Sequence, residues 1–88
     1  MLEIKYSEKA FKQIKKIWVA NKKDAERIIL AIEKYAAAPM EKHDIKHLKG
    51  KFGEFIKLRI GNYRVIFENE NNIMFVYEVK HRKDIYND

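Results

Sequence analysis

The chain has 88 residues, 47% of them hydrophobic, with one proline and no cysteine. That composition excludes a disordered chain and a disulfide framework, and the length predicts a single domain, residues 1–88, with one small core. The formal net charge of +6 is typical of a protein that binds a polyanion, although a basic protein with scattered lysines gives the same value.

No run approaches the roughly 18 consecutive apolar residues that a transmembrane helix needs. The N-terminal segment MLEIKYSEK lacks the basic start and apolar centre of a secretory signal. The absence of cysteine fits a reducing compartment. We therefore expect a cytoplasmic protein that does not bind a membrane.

The N-terminal half predicts a strand followed by a helical hairpin. Leu2–Tyr6 alternates apolar and polar side chains, and Ser7 is suited to cap a helix. Apolar residues then recur at helical spacing in two stretches, separated by a polar turn at Asn21–Asp24 and ended by Pro39. We expect both apolar stripes to be core: Ala10, Phe11, Ile14, Ile17 and Trp18 in the first, and Ala25, Ile28, Ile29, Ile32, Tyr35 and Ala36 in the second.

The C-terminal half predicts an antiparallel meander. Met40–Gly53 is expected to be irregular, and the hydrophobic period then changes to two. Gly61-Asn62 and Asn69–Asn72 are turn sequences. The predicted strands are Glu54–Ile60, Tyr63–Glu68 and Ile73–Lys80. The predicted fold is therefore α+β, with an N-terminal strand, a two-helix hairpin and a three-stranded antiparallel meander in one sheet, the helices covering one face.

Strand alternation sorts the meander residues onto two faces. The expected core face carries Ile56, Leu58, Ile60, Tyr63, Val65, Phe67, Ile73, Phe75, Tyr77 and Val79. The other face carries Phe55, Ile66, Met74, Val76, Glu68 and Glu78, together with five cations: Lys57, Arg59, Arg64, Lys80 and Arg82. Guanidinium groups on a rigid sheet make a good phosphate clamp. The alternative is a solvated face with cross-strand pairs such as Arg64 with Glu78.

Two segments of the meander carry a resemblance to a known family. LKGKFGEFIKLRIGNYRVIFE, followed by VYEVKHRKDIYND, resembles the RelE/ParE toxin superfamily of bacterial type II toxin–antitoxin systems, with the closer likeness to the RelE branch. The matching signature spans Leu48 to Tyr86, nearly half the chain. The resemblance implies the RelE-like toxin fold and a metal-independent endoribonuclease without cofactors. Such a toxin cleaves mRNA in the ribosomal A site, inhibits translation and arrests growth.

The resemblance also implies roles for individual residues. Arg64 and Arg82 would stabilise the charge that develops on the phosphate during cleavage, and Lys57 would act as base or hold the RNA backbone. Tyr86 would stack on a base or assist proton transfer. Arg59 would bind RNA. Lys80 and His81 are not among the positions that the resemblance marks, but they stand beside Arg82 in the sequence and we expect them to bind RNA as well. His81, next to Arg82, is also a candidate acid or base, but strand alternation places it on the core side, where a structural imidazole is the alternative.

The sequence departs from the family pattern at Phe55, where some members carry a second lysine. That departure keeps open a catalytically weak toxin that still binds its antitoxin. A ParE-like DNA gyrase poison without nuclease activity is the other alternative, because the same fold serves both functions. His43 and His47 have the spacing of a helical metal pair, but no third ligand is apparent, so we expect a polar loop and no metal.

The resemblance implies a set of partners. A cognate antitoxin would cover the toxin with an extended, partly helical, acidic and apolar segment lying over the helical hairpin and the sheet, in a hetero-oligomer. The toxin would contact mRNA and ribosomal RNA directly. It would reach operator DNA only through the antitoxin.

Overall fold

The computed structural model describes residues 1–50 and 53–83, which form a five-stranded sheet with two helices on one face. The elements in chain order are β1 (Glu3–Tyr6), α1 (Glu8–Ala20), α2 (Lys22–Ala37), β2 (Ile45–Gly50), β3 (Gly53–Ile60), β4 (Tyr63–Glu70) and β5 (Ile73–His81). The strands lie in the order β1-β5-β4-β3-β2, with β1 parallel to β5 and the other neighbours antiparallel. The predicted α+β fold is confirmed.

The helical hairpin forms as the sequence predicts, but its turn is shorter. Ser7 caps α1 by accepting a hydrogen bond from the Ala10 N–H at 3.0 Å. Asn21 alone joins the helices: its N–H donates to the carbonyl of Ile17, and its side chain accepts from the N–H of Asp24. Lys22–Asp24 therefore belongs to the first turn of α2 rather than to a turn, because one residue can end the first helix and cap the second.

The stretch expected to be irregular contains the edge strand β2. Ile45 to Gly50 pairs with β3 in antiparallel register, from Ile45 opposite Leu58 to Gly50 opposite Gly53. The sequence of β2 does not alternate cleanly, since Leu48 lies opposite Phe55 on the face away from the helices. The strand β2 therefore forms because it pairs with β3. The pattern of residues within β2 alone could not indicate this pairing.

The hydrophobic core lies between the helices and the sheet. Its largest fully buried side chains are Phe67, Ile28, Ile32, Met74, Val65 and Val76. Phe67 packs edge-on against Tyr35 of α2, with 4.8 Å between ring centroids. Burying side chains of this size stabilises the fold by roughly 1.5–3 kcal/mol each.

A β-bulge in β5 reverses the predicted alternation of that strand. Ile66 lies opposite Glu78 and Phe67 lies opposite Val76, so Tyr77 is the extra residue. Met74 and Val76 are therefore fully buried in the core, and their predicted place on the outer face is wrong. Ile73, Phe75 and Tyr77 were predicted to be core and lie on the outer face instead. Val79, Glu78 and Lys80, which follow the bulge, lie on their predicted faces.

The bulge is held by side chains at the start of α1. The Ser7 hydroxyl donates to the Tyr77 carbonyl at 2.7 Å, and the Gln13 side-chain oxygen accepts from the Val79 N–H at 2.7 Å. Strand β1 pairs with β5 only as far as Val76, so the backbone groups beyond it need other partners. Because those partners come from a helix 66–70 residues away in sequence, local pattern could not predict the bulge.

Candidate functional site

Three arginines line one pocket at the β3–β4 turn. Arg59 and Arg64 lie directly opposite each other on β3 and β4, on the face away from the helices. Arg82 follows β5, and its N–H donates to the Asn62 carbonyl at 2.6 Å, which fixes it beside the turn. The pocket encloses about 210 Å³ and is completed by Gly61 and Asn62. We call it the arginine pocket.

The turn under the arginine pocket depends on Gly61, whose φ of +56° lies in the left-handed region. A β-carbon there would stand 3.2 Å from Nη2 of Arg27, which approaches from α2. Glycine therefore suits this turn for two reasons. It adopts a backbone conformation that other residues rarely adopt, and it leaves room for the Arg27 side chain.

The open face, meaning the sheet face away from the helices, sets like charges directly opposite one another. Lys46 pairs with Lys57, Arg59 with Arg64, and Arg64 with Lys80. Like charges in directly opposed positions destabilise a sheet, by up to about 1 kcal/mol for each pair. Three such pairs in adjacent strands concentrate positive charge on the open face.

The cations perturb the ionisation of Lys57. Desolvation by burial is the largest cause, and the positive charges of Arg64, Lys46 and Arg59 add to it. Together they lower the pKa of Lys57 from its usual 10.5. A larger fraction of its side chain is therefore neutral near physiological pH than for an ordinary lysine, which suits a proton acceptor.

The predicted cross-strand pair between Arg64 and Glu78 does not form. Glu78 lies opposite Ile66, and its Oε1 is 3.0 Å from Nζ of Lys9 and 3.5 Å from Nζ of Lys80. The carboxylate thus interacts with α1 and with its own strand. Arg64 instead faces Arg59, Lys80 and the arginine pocket.

The structure brings together Lys57, Arg59, Arg64, Lys80 and Arg82, as strand alternation predicts. His81 lies on the helix-covered face, opposite Tyr63 in the register and with its ring 4.9 Å from the Tyr63 ring. Its Nδ1 accepts from the Lys83 N–H at 3.1 Å. The imidazole is therefore placed apart from the arginine pocket. Tyr86 lies outside the described residues, so its role stays a prediction.

Lys46 is a site residue that the sequence analysis missed. It lies opposite Lys57 on the open face and contributes to the lowered pKa of Lys57. The only sequence signal was the charge itself, in a stretch without clear strand alternation. Its position follows once β2 is known to pair with β3.

His43 and His47 do not share a helix. His43 precedes β2, packs against the ring of Tyr35 with 4.8 Å between centroids, and contacts the Ala38 carbonyl through Nε2 at 2.7 Å. His47 is in β2 and pairs through Nδ1 with Glu54 at 2.8 Å. Within residues 1–50 and 53–83, no three histidine, aspartate or glutamate side chains cluster closely enough to hold a metal ion.

The helical side carries a second surface feature, an apolar groove between α1 and α2. It encloses about 460 Å³ and is lined by Tyr6, Phe11, Ile14, Lys15, Trp18 and Ile29. Phe11 and Trp18 were predicted to be core, but they are 61% and 41% exposed. The apolar stripe of α1 is wider than the surface that the sheet covers, so these two rings remain on its flank. We call this the helical groove.

Neither α1 nor α2, the helices of the described part of the chain, is long and apolar enough to cross a membrane.

Several solved structures are similar to this fold. The YoeB dimer from Staphylococcus aureus has a TM-score of 0.76 at 20% identity, covering 91% of this chain and 95% of that one. The RelB–RelE antitoxin–toxin complex from Methanococcus jannaschii has a TM-score of 0.73 at 28% identity, covering 99% and 96%. The archaeal RelE–RelB complex from Pyrococcus horikoshii OT3 has a TM-score of 0.74 at 21% identity, covering 92% and 94%.

No curated protein sequence matches the chain at a significant level. A family model described as the ParE toxin of type II toxin–antitoxin systems matches residues 4–86. This match extends over the helical hairpin as well as the meander, and it confirms the likeness to the RelE/ParE superfamily. The chain therefore belongs to the ParE toxin family and is a toxin of a type II toxin–antitoxin system.

Proposed function

We propose that this toxin is an endoribonuclease that cleaves mRNA in the ribosomal A site. The observation that carries the proposal is the arginine pocket, in which Arg59, Arg64 and Arg82 converge on about 210 Å³ beside a lysine of lowered pKa. Arginines keep their charge at any physiological pH and donate in pairs to phosphate oxygens. A phosphodiester is the ligand that fits such a pocket.

The reaction requires the RNA 2′-OH to lose its proton and attack the adjacent phosphate. The bond from phosphorus to the 5′ oxygen then breaks, the 5′ oxygen gains a proton, and a 2′,3′-cyclic phosphate remains. Arg64 and Arg82 would stabilise the extra negative charge on the phosphate in the transition state. Lys57, whose neutral form is favoured by burial and by its cationic neighbours, would accept the 2′-OH proton. Arg59 and Lys80 would hold the flanking backbone, and Tyr86 would stack on a base or assist proton transfer.

A ParE-like action on DNA gyrase, without cleavage of RNA, is the second candidate, and the family model that matches the chain favours it. The two candidates make different demands on the open face. A nuclease needs converging cations and a base, whereas a protein that binds gyrase needs neither. Three like-charge pairs retained against sheet stability support the nuclease.

The test is a translation extract with a defined message, wild-type or Arg82→Ala toxin, and ribosomes present or removed, read by primer extension. We expect discrete cuts when ribosomes are present, and a reduction of at least about tenfold in the variant, equivalent to about 1.4 kcal/mol of barrier. The ribosome-free reaction shows whether cleavage needs the decoding site. Lys34→Ala, an exposed cation in the last turn of α2, is the control. An intact message with normal translation would exclude the nuclease, and trapped gyrase–DNA complexes would then support the second candidate.

We propose further that a cognate antitoxin covers the helical groove. The similar YoeB and RelE structures include complexes with YefM and RelB. Phe11 and Trp18 offer apolar area, and Lys15 lines the same groove, so an amphipathic segment with acidic flanks fits it. Trp18→Ala is expected to raise the Kd of the toxin–antitoxin complex by at least about tenfold, measured by calorimetry.

A further inference from the structure

The open face carries a group of aromatic rings beside the cations. Phe55, Phe75 and Tyr77, all half-buried, form an aromatic cluster on the strands β3 and β5. The Phe55 and Tyr77 ring centroids are 5.6 Å apart at 78°, and those of Phe75 and Tyr77 are 4.8 Å apart at 40°. The bulge explains why Tyr77 joins this face rather than the core.

A carboxylate stands at the edge of the aromatic cluster. Phe55, Ile66, Glu68, Tyr77 and Glu78 line a groove of about 480 Å³. The Tyr77 hydroxyl donates to Oε2 of Glu68 at 3.4 Å, which orients that side chain along the ring. Each carboxylate oxygen accepts more than one hydrogen bond, so Glu68 can still accept from a ligand.

The aromatic cluster continues directly into the cationic half of the open face. Phe55 and Lys57 are alternate residues of β3, and Ile66 and Arg64 are alternate residues of β4. Alternate residues on one strand face lie about 6.6 Å apart, twice the rise of a residue. A ligand that follows the strands must therefore present flat apolar faces at one end and negative charge at the other.

We propose that the aromatic cluster is a nucleobase subsite for single-stranded RNA next to the arginine pocket. A base stacks on the face of Phe55, whose ring stands nearly perpendicular to that of Tyr77, and its exocyclic amino group donates to Glu68. Single-stranded nucleic acid combines stacking faces with phosphates, and proteins recognise unpaired bases by stacking and by hydrogen bonds to their edges. The inference rests on the proposed function and adds where the RNA lies and which bases it favours.

The charges near the cluster favour RNA over an acidic protein segment. Glu68 and Glu70 border a further pocket with Phe75 and Tyr77. An acidic segment lying over the aromatic cluster would bring its own carboxylates close to Glu68 and Glu70. An RNA strand keeps its phosphates near Lys57 and Arg59 and brings only a base edge to Glu68.

Stacking is tested by fluorescence anisotropy with a labelled oligoribonucleotide made uncleavable by 2′-deoxy substitution. Phe55→Leu keeps apolar volume and removes the ring, and it is expected to raise the Kd at least about fivefold without changing the salt dependence. Arg59→Gln is expected to lower the salt slope by about one. Phe11→Leu, which removes a 61% exposed ring from the helical groove, far from the open face, is the matched control.

Two further measurements separate stacking from a structural effect. With an oligonucleotide that lacks bases, wild type and Phe55→Leu are expected to bind equally. Glu68→Gln is expected to remove the preference for adenine or cytosine over uracil, since a glutamine amide can also donate to the uracil carbonyl.

Each outcome has a distinct meaning. Unchanged RNA binding by Phe55→Leu, with weaker binding by Arg59→Gln, overturns the nucleobase subsite and leaves the proposed function standing. Ring-dependent binding with an intact message in the extract supports the subsite and excludes the nuclease. A protein that binds no RNA and leaves the message intact in the extract overturns both. Loss of antitoxin affinity in Phe55→Leu, with RNA binding unchanged, identifies a protein contact instead.

Discussion

The two faces of the sheet carry different kinds of side chain. The helix-covered face buries Phe67, Val65 and Met74 completely, and every strand that contributes to it places apolar side chains there. The open face sets Arg59 against Arg64 and Lys46 against Lys57. The first arrangement stabilises the fold and the second opposes it, so the two faces differ in what their side chains contribute to stability.

The largest expected effect is a loss of stability when a phenylalanine is removed from the helix-covered face, compared with the loss when one is removed from the open face. Phe67→Ala removes a fully buried ring and is expected to reduce the free energy of unfolding by about 3–5 kcal/mol. Phe55→Ala, at a half-buried position on the open face, is expected to cost clearly less. Urea unfolding measures both. Equal losses would mean that the open face is part of the core and would remove the distinction.

A smaller effect on stability is expected at Ser7, which links the start of α1 to the bulge in β5. Ser7→Ala removes the cap of α1 and the hydrogen bond to the Tyr77 carbonyl at the bulge. Loss of a cap costs about 1 kcal/mol, read from the urea midpoint at constant slope. Ser7→Thr keeps the hydroxyl and should retain most of the stability. If threonine were as destabilising as alanine, the hydroxyl would not be the stabilising group.

The smallest effect is a shift in pH dependence. A lysine of lowered pKa loses its proton at lower pH, so cleavage that uses Lys57 as base rises with pH through that pKa. Lys46→Gln removes one of the charges that lower the pKa of Lys57. The pKa then rises toward 10.5, so the increase of the cleavage rate with pH, the alkaline limb of the profile, moves to higher pH. Lys49→Gln, on the other face of the same strand, is the control.

The pH profile of kcat/KM for cleavage measures this shift. A limb that stays in place in Lys46→Gln would show that Lys57 is not the base. It would leave Lys57 as a group that holds the RNA backbone.

Strand alternation predicted the cationic face correctly wherever two strands run without interruption. Lys57, Arg59 and Arg64 lie on β3 and β4, whose pairing is regular around them. It failed at Phe75 and Tyr77, because the bulge that turns them outward depends on Ser7 and Gln13, far away in sequence. Local periodicity carries no information about such contacts.

The edge strand and the helical groove were missed for related reasons. Lys46 could be placed only from the partner of β2. Phe11 and Trp18 fit a helical stripe, but periodicity does not say how much of a stripe the rest of the protein covers. Both features depend on the packing of elements rather than on the pattern within one element.

The most direct test measures chemistry and stability in the same protein, Arg64→Gln. We predict that single-turnover cleavage of a ribosome-bound message falls about 100-fold, the usual effect of removing one donor to a transition-state anion. We also predict that the free energy of unfolding stays constant or rises slightly, since two like-charge pairs are relieved. Unchanged cleavage, or a loss of stability of several kcal/mol, would contradict the assignment of the open face to RNA cleavage.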